Sequence, residues 1–181
     1  PVETIRQIQQ SCMEHDDDMR WLVALISDTG MRLAEAAGLN VDDIKLDEDI
    51  PYVDIKPHPW RSLKTKGSQR RVPLVGASLW AAQRIKENAS SCFAFPRYTD
   101  NTRCNANSAS NALNKWLHAN FRKDIVIHGF RHAMRDRLRA VSCPSEMIDQ
   151  IGGWSKRSVG AGYGQGYDNK AIYTAMRLLS D

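Results

Sequence analysis

The sequence lacks any long apolar run and any ordered pattern of cysteines. No stretch approaches the ~20 consecutive apolar residues that span a membrane, and no apolar secretory segment opens the chain. Its 4 cysteines are scattered, with no Cys-x-x-Cys pair, and are Cys12, Cys92, Cys104 and Cys143. Such scatter is typical of free thiols in a reducing compartment and argues against a disulfide framework or a zinc site. We therefore expect a cytoplasmic protein without a structural metal.

Composition and charge indicate the broad class. The chain has 181 residues, of which 42% are hydrophobic and 25% charged, as expected for one globular domain with its own core. The net charge of +4 and the pI of about 9.0 favour a polyanionic partner without proving one. The chain begins at Pro1 rather than Met, so we expect it to be a fragment of a longer protein.

Hydrophobic periodicity predicts a mainly α-helical α+β domain. Three short runs, DIKLD, PYVDIKP and RRVPLV, alternate as strands do, and they predict a small three-stranded antiparallel sheet. Residues 91–107 are polar and rich in turn residues, which predicts a surface loop, and Ser108 is the expected cap of the helix that follows. Helical patterns cover residues 2–14, 19–30, 32–39, 76–90, 108–121, 128–138, 145–151 and 168–181.

The segment IVIHGFRHAMRDRL places two histidines and an arginine at the start of a predicted helix. Residues three and four apart are neighbours on a helix surface, so His128 and Arg131 can point into one site. A guanidinium that stays charged, beside an imidazole that titrates near neutrality, is suited to holding a phosphate while a proton moves. The alternative is a basic amphipathic helix with a buried histidine. We expect His132 either to support the site or to lie in the core.

Two further basic segments precede this helix. Arg32 opens the predicted helix RLAEAAGL, with Glu35 on the same face, and an arginine at a helix start is favourable only near an anion. A surface ion pair is the alternative. The connection HPWRSLKTKGSQRR joins the last two strands, with Gly67 as its expected turn, and its basic residues are Arg61, Lys64, Lys66, Arg70 and Arg71. We expect Arg61, Lys64 and Arg70 to contact DNA, although a solvated basic loop would also explain the charge.

The last pieces are a tryptophan after two glycines and a tyrosine among glycines. Trp154 follows Gly152-Gly153, and Tyr163 comes nine residues later. The intervening glycines argue against one continuous helix, so Tyr163 is expected on a separate segment. Tyr167 is a competing candidate because GYGQGY holds two similar tyrosines.

The order of these motifs resembles that in the catalytic domain of the tyrosine recombinases, the phage integrase family. The motifs are, in order, the arginine, the basic hairpin, HGFRH, GGW and the tyrosine. The resemblance covers roughly residues 2–175. It implies the family's first arginine at Arg32, with Glu35 as its acidic neighbour. The hairpin lysine maps best onto Lys66, with Lys64 as the alternative.

The same resemblance places the remaining site residues. His128 and Arg131 correspond to the family's histidine and second arginine, and Tyr163 to its nucleophile. Trp154 stands where most members have histidine; its indole can donate one hydrogen bond but cannot carry a proton. The resemblance implies attack of Tyr163 on a DNA phosphodiester, which leaves a 3′-phosphotyrosyl enzyme and a free 5′ hydroxyl.

The roles of the other residues follow from this chemistry. Arg32 and Arg131 would bind the non-bridging phosphate oxygens, and Lys66 would protonate the leaving 5′ oxygen. His128 would accept the tyrosine proton or bond to the phosphate. No metal or nucleotide cofactor is implied, because the phosphotyrosyl bond retains the energy for rejoining.

Three other functions compete with this interpretation. His128 and His132 have the spacing of a zinc protease motif, but Gly129 stands in place of the general base. A type IB topoisomerase uses similar chemistry without exchanging strands. A third possibility is a DNA-binding module that kept the fold and lost activity.

The resemblance also implies partners. We expect double-stranded DNA at attachment sites, a tetramer on DNA formed through the C-terminal helix, and accessory DNA-bending factors, in a bacterial cytoplasm and of phage-like origin. Family members usually carry an N-terminal DNA-binding domain, which we expect this chain to lack. Whether the C-terminal helix docks on its own domain or on a neighbour is left open.

Overall fold

The first two helices form the centre of the core. In the computed structural model, which describes residues 1–154 and 166–181, α1 spans Val2–His15 and α2 spans Asp18–Ser27. All of the side chains from 22 to 30 are buried, so α2 is the apolar helix that its sequence predicts. The Asp17 carboxylate accepts a hydrogen bond from the Arg20 backbone amide, 3.0 Å away, and so caps α2.

The sheet has the predicted three antiparallel strands, in the order β1-β2-β3. Strand β1 is Ile44–Lys45, β2 is Tyr52–Ile55 and β3 is Arg70–Pro73, with Val53 paired to both Ile44 and Val72. Between β2 and β3 runs the basic connection, which contains one 3-10 turn at Lys66–Ser68. The fold is therefore the mainly helical α+β class expected from the sequence.

The remaining helices surround α2 and the sheet. A short helix, α3, follows α2, and five more helices come after β3 in the described part of the chain. Their bounds are Leu33–Ala37 (α3), Gly76–Glu87 (α4), Ala106–Asn120 (α5), Gly129–Ala140 (α6), Ser145–Gly152 (α7) and Asn169–Arg177 (α8). Helices α3 and α6 both pack against α2, and α7 packs against α6 and β3. The turn before α3 and the first turn of α6 therefore meet at one end of α2.

Two local predictions are wrong. The cap of α5 is Asn105, whose side-chain oxygen accepts a hydrogen bond from the Ser108 amide, so Ser108 lies inside the first turn. Residues 91–105 are also more than a surface loop. Phe95 is fully buried, and the Ala94 amide donates to the Leu39 carbonyl at 3.0 Å, because this segment covers the end of α3.

The C-terminal helix packs on its own domain. Ile172, Met176 and Leu179 are 2%, 0% and 7% exposed, and α8 lies against β3. The apolar face of the predicted amphipathic helix is thus covered within the same chain. Within residues 1–154 and 166–181, no helix is both long and apolar enough to cross a bilayer.

Candidate active site

The site begins at the turn between α2 and α3. Gly30 has a φ of +65°, and a Cβ at this position would lie 2.9 Å from the Met134 Cγ of α6. A larger residue would therefore be strained and would push α6 away. The Gly30 carbonyl accepts a hydrogen bond from the Arg131 Nη1 at 2.8 Å. Through this bond Gly30 holds Arg131, the second arginine of the site. Gly30 itself lies two residues before Arg32, the first arginine.

Arg32 is the N-cap residue of α3 and lies just outside its first turn. Its backbone amide and its Nη1 each donate to one oxygen of Glu35, both at 2.9 Å. The Arg32 guanidinium also donates to the Ser68 hydroxyl and to the Gly153 carbonyl, each at 3.3 Å. The Arg32 side chain remains partly exposed while that of Glu35 is buried. The pair therefore lines the candidate site and is not a surface ion pair.

Glu35 is a buried carboxylate with two cationic partners. Burial raises the pKa of Glu35, but hydrogen bonds and charge from Arg70, followed by the bonds from Arg32, more than offset it and hold the pKa below its usual value. Glu35 is therefore ionised at neutral pH, and its charge offsets part of the arginine charge around it.

The DNA-binding prediction requires Arg70 to lie on the surface, but Arg70 is buried. It is 9% exposed and donates to both Glu35 oxygens, at 3.1 and 2.9 Å, and to the Ile151 and Ser68 carbonyls. These partners use four of its five N–H donors and hold the guanidinium inside the protein, so Arg70 is not placed as a surface phosphate ligand. The prediction is corrected: Arg70 belongs to the interior of the site.

Arg61 is also inside the protein. It is 5% exposed, and its guanidinium donates to the Glu35 carbonyl at 2.7 Å and to the Lys56 carbonyl. These bonds tie the basic connection to the end of α3. The predicted DNA contact of Arg61 is therefore corrected as well, because its charged end faces backbone carbonyls.

Lys64 and Lys66 remain exposed on the connection. Lys66 begins the 3-10 turn that ends at the buried Ser68, and the Thr65 and Ser68 hydroxyls lie 3.0 Å apart. Since Ser68 also accepts from Arg32, the lysine-bearing turn is held against the first arginine. The ammonium of Lys64 lies close enough to His128 to contribute to lowering the pKa of that imidazole.

Helix α6 presents His128 and Arg131 as its pattern predicts. His128 is the N-cap residue, and the turn before it is anchored by the Asn114 side chain, which accepts from the Ile127 amide at 2.7 Å. Partial burial lowers the pKa of His128, and the charges of His132, Arg131, Arg32 and Lys64 lower it further. His128 is thus a mostly neutral imidazole at pH 7, able to accept a proton.

His132 is exposed, so its assignment to the core is wrong. Its ring meets that of His128 edge to face, with 5.0 Å between the ring centroids. The supporting position remains a prediction. Among residues 1–154 and 166–181, no group of three histidine, cysteine or carboxylate side chains is placed to hold a metal ion.

Arg131 lies in the centre of this cluster and is only 3% exposed. Burial, followed by the charges of Arg32 and Arg70, lowers the pKa of Arg131 to about 10. Its Nη2 is buried and has no hydrogen-bond partner among the described residues. A buried guanidinium with an unused donor, next to other arginines, is an unfavourable arrangement that a bound anion would relieve.

Trp154 packs between two arginines. Its ring centroid lies 4.3 Å from the guanidinium carbon of Arg131 and 4.0 Å from that of Arg135. Gly153 is the C-cap residue of α7 and lies in the left-handed region at φ +63°, which turns the chain so that the ring covers Gly152. A Cβ on Gly152 would lie 1.9 Å from a ring carbon. The GGW sequence is therefore a packing requirement.

Tyr163 lies outside the described residues. The described residues on either side of it are Trp154 and Gly166. The Gln150 side chain holds the Tyr167 backbone: its amide group donates to the Tyr167 carbonyl at 2.8 Å, and its oxygen accepts from the Tyr167 amide at 2.9 Å.

The structure thus brings together Arg32, Glu35, His128, Arg131 and Trp154. The interior role of Arg70 and the contact of Arg135 with Trp154 were not predicted from the sequence. Strand alternation could have identified the first, because Arg70 and Val72 share one buried face of β3 while Arg71 is exposed. Chemically, the cluster can bind an oxyanion and accept a proton beside it.

Two curated proteins are similar to this chain in sequence. The tyrosine recombinase XerC of Neisseria meningitidis serogroup B, strain MC58, is 29% identical over 142 residues, which cover 76% of this chain and 44% of XerC. XerC of the serogroup C strain FAM18 is 28% identical over 142 residues, with 76% and 43% coverage. The chain thus spans less than half the length of these relatives.

Solved structures share the fold. The Tn1549 transposon integrase in complex with circular intermediate DNA superposes with a TM-score of 0.58 at 18% identity, over 88% of this chain and 59% of the integrase. The same integrase in complex with transposon right end DNA gives 0.57 at 16% identity, over 90% and 59%. A sequence profile of the phage integrase family matches residues 2–169, and the chain therefore belongs to the phage integrase family.

Proposed function

We propose that this chain is the catalytic domain of a site-specific DNA recombinase. It cleaves and rejoins DNA strands through a 3′-phosphotyrosyl intermediate and needs no metal or nucleotide. The observation that carries the proposal is the buried Arg131, whose Nη2 has no partner among residues 1–154 and 166–181 and which lies among other arginines beside a neutral imidazole. This is the environment that a phosphodiester requires when charge grows on its oxygens.

The two arginines bind the phosphate. Arg131 offers Nη2 from inside the site, and Arg32 approaches from the start of α3 with part of its guanidinium exposed. Both are fixed by backbone carbonyls, so their donors need not reorganise during the reaction. Glu35 keeps Arg32 in place, and its negative charge offsets part of the positive charge of the arginines when DNA is absent.

The proton transfers are assigned to His128 and a lysine. His128 accepts the proton of the attacking tyrosine or bonds to the phosphate, since its pKa is held below its usual value. Lys66 protonates the leaving 5′ oxygen from the hairpin turn. Lys64 is the alternative, and its proximity to His128 supports keeping it.

Trp154 orients Arg131. The ring packs on the guanidinium of Arg131 and limits the directions in which Nη2 can point. Its indole N–H can also donate to a phosphate oxygen. Trp154 carries no proton in this scheme, so acid–base chemistry falls to His128 and the lysine.

Tyr163 is the proposed nucleophile, by its spacing of nine residues from Trp154. Tyr167 remains the competitor. Two hydrogen bonds with the Gln150 side chain fix the Tyr167 backbone, and the Tyr167 side chain is half-buried against the core. Both features favour Tyr163 over Tyr167, because a nucleophile has to reach a phosphate bound at the arginines.

The proposed partner is double-stranded DNA at attachment sites. The Tn1549 integrase structures contain DNA, and the exposed Lys64, Lys66 and Arg71 give this chain cations for phosphate contacts. The proposal also includes a tetramer on DNA formed through the C-terminal helix, accessory DNA-bending factors and a separate N-terminal DNA-binding domain.

A covalent adduct distinguishes this function from an inactive DNA-binding module. The complete gene product is incubated with a pool of short nicked duplexes tiled across the DNA that flanks its gene, then separated under denaturing conditions. We expect a protein–DNA band that Arg32→Lys reduces by at least about 100-fold, as for loss of an oxyanion donor. An inactive module would bind the duplexes and give no band. A topoisomerase would relax supercoiled plasmid without joining two duplexes.

A further inference from the structure

Arg70 contacts three of the segments that form the candidate site. Its guanidinium forms two bonds with Glu35, one with the Ser68 carbonyl at 2.6 Å and one with the Ile151 carbonyl at 2.7 Å. These partners belong to α3, to the hairpin turn and to the last turn of α7. One buried side chain therefore bridges three segments that are distant in sequence.

The three segments carry the groups of the proposed reaction. Glu35 holds Arg32, Ser68 ends the turn that carries Lys66, and Ile151 lies three residues before Trp154. The bond to Ile151 also satisfies a carbonyl at the end of α7, where intrahelical partners are missing. A displacement of Arg70 would move all three.

The end of α7 is shaped around Arg70. Gly153 has a φ of +63°, and a Cβ there would lie 2.7 Å from the Arg70 Nη1. Gly153 thus lets the chain turn while the backbone passes close to the guanidinium. The turn delivers Trp154 to Arg131 and brings the Gly153 carbonyl to Arg32.

We propose that Arg70 is a positioning residue for strand cleavage, which holds Arg32, the hairpin lysine turn and Trp154 in their relative places. This inference rests on the proposed function. Arg70 touches no DNA in this account; it acts through the residues that do. A lysine cannot replace it, because one ammonium lacks the planar fork that spans Glu35 and two carbonyls.

Arg137 offers a matched control. It is 8% exposed, pairs with the buried Asp28 at 2.8 Å, and donates to the Ser27 and Leu179 carbonyls. It therefore resembles Arg70 in burial and in partners, but it joins α6 to α2 and to the C-terminus. Loss of either arginine should lower thermal stability, whereas only Arg70 should affect the chemical step.

The first test separates chemistry from binding. With the complete gene product and the nicked duplex pool, Arg70→Lys should lower the single-turnover rate of adduct formation at saturating DNA by at least about 10-fold. The Kd of Arg70→Lys for DNA should stay within about threefold of the wild-type Kd. Arg137→Lys should leave both the adduct rate and the Kd near those of the wild type. Equal rates for Arg70→Lys and Arg137→Lys would overturn the inference.

The second test does not depend on activity. Hydrogen–deuterium exchange of peptides covering 63–69 and 148–154 should become faster in both segments in Arg70→Lys, and in neither in Arg137→Lys. Unchanged exchange in Arg70→Lys would refute the positioning role, even if no variant forms an adduct. An absent wild-type adduct would instead count against the proposed recombinase function.

Discussion

At the scale of the residue, Arg131 has the environment that most needs a ligand. Its guanidinium is buried and its Nη2 lacks a partner among the described residues. Burial, followed by the charges of neighbouring arginines, lowers its pKa to about 10. A protein that merely folds gains nothing from this arrangement, because a well-packed apolar residue of similar volume is often as stable. We therefore interpret the surroundings of Arg131 as a binding site for an anion.

Inorganic sulfate provides a test of this anion site. If sulfate binds with a Kd on the order of 1 mM, 20 mM sulfate stabilises the fold by about 1.8 kcal/mol and raises Tm by about 4–7 °C relative to chloride at equal ionic strength. The rise should vanish in Arg131→Met and persist in Arg139→Gln, which removes an exposed charge from the same helix. Equal rises in both variants, measured by thermal unfolding, would show that sulfate acts elsewhere.

His128 predicts the pH dependence of cleavage. Because partial burial and the nearby cations lower its pKa below 6.5, the imidazole is neutral at pH 7 and loses its proton-accepting ability as the pH falls through that lowered value. The adduct rate at subsaturating DNA should therefore show an acid limb with a midpoint below 6.5. Between that midpoint and 6.5 the unfolded chain binds more protons, so stability should rise with pH there.

Two variants check the assignment of this limb. His128→Gln should abolish it and lower the plateau rate, whereas His118→Gln, at an exposed position on α5, should change neither. A limb that persists unchanged in His128→Gln would assign the titration to another group.

At the scale of the element, the end of α7 is the most constrained turn of the site. The Trp154 ring lies on Gly152, and a Cβ there would lie 1.9 to 2.5 Å from three ring carbons. Gly152→Ala must therefore displace the ring, and with it the support of Arg131. We expect the adduct rate to fall at least about 10-fold, with the fold intact by thermal unfolding.

A double-mutant cycle tests that mechanism. In a Trp154→Ala background the new methyl group has space, so Gly152→Ala should cost no further activity. Additive losses from Gly152→Ala and Trp154→Ala would mean that the glycine acts through something other than the tryptophan ring.

The elements also show how far a sequence can be interpreted by itself. The helices and the three strands were predictable because their patterns are local: apolar residues recur with a helical period in α1 and alternate in β2 and β3. The interior position of Arg70 was missed because basic character outweighed the alternation of β3. The burial of Phe95 was not predicted, because the turn-rich composition of its segment does not indicate that the segment packs over the end of α3.

The candidate site was predictable as a set of residues but not as an arrangement. The order of motifs identified Arg32, His128 and Arg131, since each occurs in a recognisable segment. Their arrangement depends on contacts between residues far apart in the chain, such as Arg32 with Gly153 and Arg131 with Gly30. No local pattern carries such information.

At the scale of the whole molecule, affinity for DNA should be mainly electrostatic. The chain has a net charge of +4, and the hairpin lysines are exposed while Arg61 and Arg70 are occupied internally. If the domain neutralises about four phosphates, its affinity falls at least about 100-fold between 50 and 200 mM salt.

Fluorescence anisotropy on a labelled duplex measures this dependence. Lys64→Gln should reduce the slope of log affinity against log salt by about 1, whereas Arg70→Lys should leave the slope unchanged. A nearly salt-independent affinity would contradict phosphate-dominated binding.

The most direct measurement is the identity of the residue that becomes attached to DNA. The complete gene product is incubated with the nicked duplex pool, denatured and digested, and the peptides are analysed by mass spectrometry. The account predicts a nucleotide on Tyr163. A nucleotide on Tyr167 would keep the reaction and shift the nucleophile, while the absence of any tyrosine-linked nucleotide would contradict the recombinase function and leave a DNA-binding module.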